Sequence, residues 1–208
     1  MKVLSVNISA TILEGDWLAT EVQTGIDKRP ISGAVRFENN HVDGDLIGDK
    51  NAHGGYDQAV YAYAREDADW WEKEIALTIV NGRFGENLTT QGVDVSAAVI
   101  GERWRVGSVI LEVSQPRIPC RTFAGFWKRP SLIKEFMAAG KPGTYLRIIQ
   151  EGEITAGDKI EIIHLPSHGI TIADVYAAKN GERSKINEIT RVQELSTKYQ
   201  EWAKSLTL

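Results

Sequence analysis

Apolar and polar positions alternate in many short segments of the first 166 residues, and glycine separates most of these segments. Alternation of this kind is typical of strands with one buried face, because neighbouring side chains point to opposite faces of a sheet. It predicts strands over Val3–Ile8, Ile31–Phe37, Ala59–Tyr63, Arg103–Val106, Val109–Val113, Tyr145–Ile149 and Ile160–Ile163. Many short strands joined by glycine turns, such as the predicted hairpin turn at Gly107-Ser108, are typical of a closed or nearly closed barrel.

Two helices are predicted within this region, over Arg65–Ile75 and over Ser131–Ala139, where the serine is the expected cap and Gly140 the expected stop. After Pro166 the alternation gives way to apolar residues at helical spacing, which predicts three more helices. Their apolar residues are Ile172, Val175 and Tyr176, then Ile186 and Ile189, then Val192, Leu195, Tyr199, Trp202 and Leu206. The prediction is a mainly β protein. A bent, closed or nearly closed β-barrel domain with a few flanking helices spans residues 1–166, and a small three-helix appendage spans residues 167–208.

The composition is that of an ordinary globular protein. The chain has 208 residues, of which 42% are hydrophobic and 25% charged, with a net charge of -4 and a pI of about 5.6. An acidic chain is a poor match for a nucleic-acid polymer, because phosphate binding requires a basic surface. The N-terminal residues lack the pattern of an export signal, and no apolar run is long enough to span a bilayer. We therefore expect a cytoplasmic protein without a membrane partner.

Cys120 is the only cysteine, and its neighbours differ from those of a packing cysteine. It ends the segment Gln115–Cys120, which reads Gln-Pro-Arg-Ile-Pro-Cys, and it lies between Arg117 and Arg121. Prolines fix the backbone and remove donors, so we expect a stiff loop outside the strand ladders. Nearby arginines favour the thiolate, which is the nucleophilic and metal-binding form. From these residues alone, a reactive thiol and a buried packing cysteine are about equally supported.

Two further polar segments are anchored by glycine. His53–Asp57 reads His-Gly-Gly-Tyr-Asp, and its paired glycines let the backbone approach a ligand while the imidazole donates to an anion or ligates a metal. Phe84–Leu88 carries Glu86 and Asn87, which could position a ligand or only satisfy turn amides. Taken alone, each segment is better explained as an ordinary loop.

Several cations could contribute to an anion pocket, although most cations of an acidic protein are solvated surface residues. Arg117 is the best supported, because the stiff loop holds it beside Cys120 and its planar guanidinium suits bidentate phosphate binding. The others are Lys28, Arg29, Arg36, Arg83, Arg121 and Lys128.

Several common chemistries have no motif in the sequence. There is no P-loop, no dinucleotide-binding glycine fingerprint and no nucleophile elbow. One cysteine and four histidines provide neither a zinc ribbon nor a ferredoxin cluster.

The order of the motifs is more specific than any one of them. In sequence they are Gly25–Pro30, Gly44–Asp45, His53–Asp57 followed by Ala59–Tyr61, Phe84–Leu88 and Gln115–Cys120. This order resembles the MOSC-domain family, which is named for the C-terminal domain of molybdenum-cofactor sulfurases. The helical end of the chain is similar to the three-helix extension of bacterial YiiM-like members, and the resemblance covers nearly the whole chain.

The resemblance implies a barrel that carries its cysteine at a molybdopterin pocket. In the family the cysteine is a molybdenum ligand or a carrier of persulfide sulfur, and some relatives reduce N-hydroxylated bases. By position, Cys120 is the expected catalytic residue and metal ligand. The expected cofactor-binding residues are Lys28 and Arg117 at the phosphate, His53 and Asn87 in the pocket wall and, with them, Gly54, Gly55 and Arg121.

The resemblance leaves two functions open. The first is a molybdenum-cofactor oxidoreductase that detoxifies N-hydroxylated small molecules, with electrons from a separate flavin or iron–sulfur reductase. The second is a sulfur carrier that receives a persulfide on Cys120 from a cysteine desulfurase and delivers it to a metal–sulfur cofactor. The chain is too short to include the pyridoxal-phosphate desulfurase domain of the full sulfurases, so the sulfur would come from another protein. A barrel with a functionless cysteine ranks below both.

Overall fold

The computed structural model describes residues 1–19, 23–48 and 53–207. Its strands are β1 (Lys2–Ser9), β2 (Leu13–Glu14), β3 (Gln23–Thr24), β4 (Lys28–Pro30), β5 (Val35–Glu38), β6 (His41–Val42), β7 (Val60–Ala64), β8 (Leu88–Gln91), β9 (Arg103–Val106), β10 (Val109–Pro116), β11 (Thr144–Gln150), β12 (Gly152–Ile154) and β13 (Ile160–His164). Its α-helices are α1 (Arg65–Ile75), α2 (Arg121–Phe126), α3 (Leu132–Ala139), α4 (Ile172–Lys179), α5 (Ile186–Ile189) and α6 (Thr197–Ser205). A 3₁₀ turn, Tyr56–Gln58, precedes β7.

The large sheet combines strands with one buried face, such as β9, with strands buried on both faces, such as β7. Its order is β13-β9-β10-β11-β7-β8-β1-β4, and β7 and β8 form a parallel pair. In β9 the alternation is clean, because Trp104 and Val106 are fully buried while Arg103 and Arg105 are exposed. The predicted hairpin turn is confirmed, with Val106 opposite Val109 and Gly107 at a φ of 55°. Two smaller sheets, β12-β5-β6 and β2-β3, complete the strands.

The large sheet ends at β13 and β4, and within the described residues these two strands do not pair with each other. An isolated antiparallel bridge joins Lys2 to Lys159, and the Val3 amide donates to the Asp158 carbonyl at 2.9 Å. These contacts bring the start of β1 to the start of β13. The molecule is thus a sheet-rich fold with several helices, and a continuous closed ladder, one of the predicted alternatives, is absent from the part of the chain that the structure describes.

Two strand predictions are corrected. The strand expected over Ile31–Phe37 is interrupted, because Gly33 adopts a φ of 88° between the end of β4 and the start of β5. The loop expected over Gln115–Cys120 begins two residues later, because Gln115 and Pro116 still pair with β11. A β-bulge between Val113 and Gln115 precedes this end of the strand, where a proline removes only one ladder donor.

The predicted helices form, except that Val192 and Leu195 precede the last helix, which begins only at Thr197. Not all helix ends are capped as expected. Helix α1 has the predicted bounds, and α3 stops at Gly140, which adopts the left-handed conformation with a φ of 68°. The side chain of Ser131, the expected cap of α3, makes no capping hydrogen bond. Helix α4 instead carries a reciprocal capping box between Thr171 and Asp174.

The three C-terminal helices pack into the main core. Val175, Ile189 and Tyr199, one from each helix, belong to the same buried apolar cluster as Trp104 and Leu111 of the sheet. Each of these side chains is at most 5% exposed. A separable three-helix appendage is therefore not confirmed, since the helices complete the core that the strands begin.

A second, aromatic cluster lies where β7 meets α1, α2 and α3. Its rings stack or meet edge to face, as between Tyr63 and Phe84 (centroids 4.3 Å apart) and between Phe123 and Phe136 (5.2 Å). Cys120 packs against the rim of this cluster. The aromatic cluster therefore forms a rigid base beneath the segment that carries the cysteine.

Candidate functional site

The sequence motifs converge on one pocket. The loop before β4, the Phe84–Asn87 segment, the His53–Gly54 segment and the end of the Gln115–Cys120 segment all contribute to its wall. The pocket encloses about 710 Å³ of space including its open mouth.

Cys120 lies at the junction between the loop after β10 and the start of α2, and its side chain is partly exposed. Burial alone would raise the pKa of the thiol. A hydrogen bond with His53, the charge of Arg117 and the backbone N–H of Phe123 oppose burial and hold the pKa of Cys120 below its ordinary value. Among the two readings of the sequence, this environment favours the reactive thiol.

Arg117 is only 6% exposed and lies in the same pocket wall. Its guanidinium sits 3.9 Å from the centroid of the Phe123 ring and 5.5 Å from that of Tyr61. Its Nη1 is buried and has no hydrogen-bond acceptor within the described residues. Burial opposes the charge, but Tyr61, Tyr145 and Cys120 favour it and leave the pKa of Arg117 raised. A buried donor without an acceptor costs free energy, and a ligand that supplies the acceptor removes this cost.

Lys28 also lines the pocket, but its charge is already compensated. Its ammonium forms an ion pair with Asp45, and the two side chains are 8% and 7% exposed. Burial lowers the pKa of Lys28, while Asp45 favours the charged form. Asp45 in turn accepts from the Ser9 hydroxyl at 2.8 Å and from Nδ2 of Asn87 at 2.8 Å. A ligand phosphate would have to compete with this network for Lys28.

Asn87 builds the wall rather than offering a free group to a ligand. Its Oδ1 accepts from the Tyr61 amide at 3.1 Å, and its Nδ2 is taken by Asp45. The preceding Glu86 is 2% exposed and accepts from the Gly82 and Phe84 amides at 2.6 and 3.0 Å. Burial raises the pKa of Glu86. The two residues hold this segment in the shape that places Phe84 in the pocket wall.

The His53–Asp57 segment is held in place from its far end. Asp57 accepts from Nε of Arg147 at 2.7 Å, and its carbonyl accepts from the Ser114 hydroxyl at 2.6 Å. Gly54 adopts a φ of 80°, and a Cβ there would lie 2.6 Å from Cδ1 of Ile47. Both His53 and Gly54 line the pocket, and the positive φ of Gly54 favours glycine at this point.

Two predicted site residues lie elsewhere. Arg121 is exposed, and its Nη2 donates to the Asp16 carbonyl at 2.8 Å, away from the pocket wall. Gly55 is exposed and is not part of the wall. Arg121 follows Cys120 directly in sequence, but the first turn of α2 directs the two side chains to different surfaces.

Sequence reasoning missed the roles of Asp45, Tyr61 and Tyr145. Asp45 belongs to the Gly44–Asp45 motif that carried the resemblance, and its place in that motif was the available signal. The tyrosines flank Arg117, and burial raises the pKa of Tyr145 to about 12, so it remains a neutral phenol at neutral pH. Tyr61 belongs to the Ala59–Tyr61 motif that carried the resemblance, whereas nothing in the local sequence around Tyr145 marks it as part of a site.

Cys120 and Arg117 fit a molybdenum cofactor, since thiolate is a soft donor and the unused Nη1 suits a phosphate. The described residues contain no group of three or more histidine, cysteine or acidic side chains placed to hold a metal by themselves. No described helix combines the length and apolarity needed to cross a membrane.

Comparisons with known proteins show which family and which fold the chain is similar to. A family model described as the MOSC domain matches residues 49–161. The uncharacterized protein YflK of Bacillus subtilis is 30% identical over 204 residues, which cover 98% of this chain and 91% of YflK. A protein named reductase from Gibberella moniliformis is 28% identical, and the match covers 86% of this chain but 32% of that protein. The crystal structure of YiiM from Geobacillus stearothermophilus is 26% identical, with a TM-score of 0.81 over 98% of this chain and 97% of that one.

Proposed function

Because this chain belongs to the MOSC-domain family, as the order of its motifs predicted, we propose that it binds a molybdenum cofactor and reduces N-hydroxylated or related N-oxygenated small molecules. One observation carries the proposal. A partly exposed thiol with a lowered pKa shares a pocket with a buried arginine that has an unused donor. Cys120 is the proposed metal ligand, and Arg117 is the proposed anchor for the pterin phosphate.

Each pocket residue has a separate part in this proposal. His53 stabilises the Cys120 thiolate through its hydrogen bond to the sulfur. Tyr61 and Phe84 line the pocket and limit the water that reaches the thiolate. The ion pair with Asp45 already neutralises the Lys28 ammonium, so the phosphate is assigned to Arg117 alone. The cofactor, when bound, supplies two-electron redox chemistry.

The proposed reaction requires electrons from outside the chain. Conversion of R–NH–OH to R–NH₂ and water consumes two electrons and two protons. A single cysteine cannot hold an iron–sulfur cluster, so a separate flavin or iron–sulfur reductase is the proposed donor. The fungal relative named reductase favours reduction as the reaction class, although this chain spans about a third of that protein.

The test is elemental analysis of protein made in a host that synthesises the cofactor. We expect near-stoichiometric molybdenum in the wild type and none in Cys120→Ser. Arg121→Gln is the matched control, because that side chain lies outside the pocket and should leave the metal content unchanged. Molybdenum retained in Cys120→Ser would refute the ligand assignment. A wild type without molybdenum that also fails to reduce an N-hydroxylated substrate after reconstitution would refute the function.

A second candidate function is a sulfur carrier, which the partial exposure of Cys120 at the pocket favours. The Cys120 thiolate would attack the outer sulfur of a donor persulfide, so that Cys120 becomes the persulfide and the donor leaves as its thiolate. This exchange needs a reachable sulfur and proceeds through the thiolate, which the lowered pKa of Cys120 favours.

Mass spectrometry after incubation with a cysteine desulfurase and cysteine tests the carrier. We expect the mass of one added sulfur atom on Cys120, removable by dithiothreitol and absent from Cys120→Ser. An unmodified wild type under conditions that load a known acceptor would rule this candidate out.

A further inference from the structure

A second depression lies on the other side of the wall that carries Cys120. Its lining includes the apolar side chains of Leu13, Trp17 and Phe126 and the cations Arg83 and Lys128. We call this surface the basic groove. It spans about 1510 Å³ including open solvent.

The cations of the basic groove are poorly compensated. Neither Arg83 nor Lys128 forms an ion pair with a carboxylate in the described parts of the chain. Asp27 is the acidic group that acts on Arg83, but it pairs with Arg29 at 2.7 Å. The guanidinium of Arg83 lies 4.0 Å from the centroid of the Phe126 ring, which holds the cation in place without neutralising it. Glu14 is the other acidic residue in the lining.

The groove and the Cys120 pocket share three stretches of backbone. Ile26, Phe84 and Cys120 line the pocket. The adjacent residues Asp27, Arg83 and Arg121 line the groove. A partner seated in the basic groove would therefore lie directly beside the segment that bears the thiol.

We propose that the basic groove is the docking surface for an acidic electron-carrier protein that serves the Cys120 pocket. This inference rests on the proposed reductase function, which needs an external electron donor. The chain as a whole carries a net charge of -4, so an acidic carrier is repelled elsewhere and attracted here. The apolar part of the lining supplies the buried contact area, and the cations orient the encounter. Each docked one-electron carrier delivers one electron, and two deliveries with two protons complete the reduction of R–NH–OH.

The test measures binding of a purified acidic [2Fe–2S] ferredoxin to the wild type and to two charge-reversal variants. The groove variant is Arg83→Glu/Lys128→Glu. The control, Lys159→Glu/Lys198→Glu, changes the net charge equally at exposed sites outside the groove. We expect binding at low salt that weakens about tenfold or more in the groove variant and less than about threefold in the control. Raising the ionic strength should weaken the wild-type complex.

Two further readouts separate docking from folding and from the reductase function. Lys128→Glu alone changes an exposed side chain and should weaken binding even if the double variant folds poorly. Carbodiimide treatment should cross-link Lys128 to a carboxylate of the ferredoxin. Turnover driven by dithionite should survive in the groove variant while ferredoxin-driven turnover falls, through a higher KM for ferredoxin.

Three results would overturn the docking proposal. One is the absence of ferredoxin binding at low salt. Another is equal weakening in the groove and control variants. The third is micromolar binding of ADP that the groove variant abolishes, which would make the groove a nucleotide site. Loss of dithionite-driven turnover in the wild type would instead count against the reductase function and leave the binding results to decide the docking.

Discussion

Replacement of Lys28 by methionine distinguishes a structural ion pair from a free anion anchor. Lys28 and Asp45 are paired with side chains 8% and 7% exposed. The substitution keeps most of the apolar stem of Lys28 but leaves the Asp45 carboxylate without its cation. We therefore expect Lys28→Met to destabilise the protein before it changes ligand binding.

The size of the effect follows from what Asp45 retains. Loss of one partner of a buried ion pair costs about 3–5 kcal/mol. Asp45 would still accept from the Ser9 amide at 3.0 Å, from the Ser9 hydroxyl at 2.8 Å and from Asn87 at 2.8 Å. These donors place the expected loss in the free energy of unfolding at the lower end, about 3 kcal/mol. For a chain of this length the melting temperature should fall by about 6–12 °C.

Urea denaturation of three variants tests the expected loss in the free energy of unfolding. Lys28→Met/Asp45→Asn should recover at least half of the loss, because it removes both charges together. Arg36→Met is the control, since Arg36 pairs with Glu38 on the surface and should be close to the wild type. Equal stabilities for Lys28→Met and Arg36→Met would refute the argument. If the double variant also keeps its molybdenum, Lys28 is not the phosphate anchor.

Three further predictions concern Arg117, a buried position of α4 and Gly54. Arg117→Met should raise the pKa of Cys120, so that alkylation of the only cysteine by iodoacetamide moves to higher pH, while the surface variant Arg105→Met should leave the profile unchanged. Ile172→Ala, at a fully buried position in α4, should cost about 2–5 kcal/mol in one cooperative unfolding transition. A separate, earlier transition for the C-terminal helices would instead support an independent appendage. Gly54→Ala should cost about 1 kcal/mol from its positive φ and weaken cofactor retention, and unchanged molybdenum content would contradict the close backbone approach.

Local periodicity was sufficient for most of the elements. The hairpin at Gly107 and the bounds of α1 follow from residues close together in the chain, so sequence reasoning located them. The strand expected over Ile31–Phe37 was wrong because Gly33 supports either a continuous strand or a break, and only packing decides between them. The capping expectation for Ser131 failed for a similar reason, because a cap depends on the approach of the preceding chain.

The residues of the site also divide into those that the sequence predicted correctly and those that it did not. Cys120, Arg117 and His53 were recognised because their residue types and their order along the chain are distinctive, and the structure brings all three to one pocket. Arg121 was included on proximity in sequence, yet the direction of a side chain at the start of a helix depends on how that helix packs.

The sequence by itself determined the family, the strand-rich character and the chemistry available to the site, because these depend on residue types, spacing and order. Only the tertiary structure decided that Asp45 neutralises Lys28, that Arg117 keeps an unused donor and that the C-terminal helices share the core of the sheet. Each of these facts depends on contacts between residues far apart in the chain. The free energy of such contacts comes from burial and the exclusion of water, which local patterns do not record.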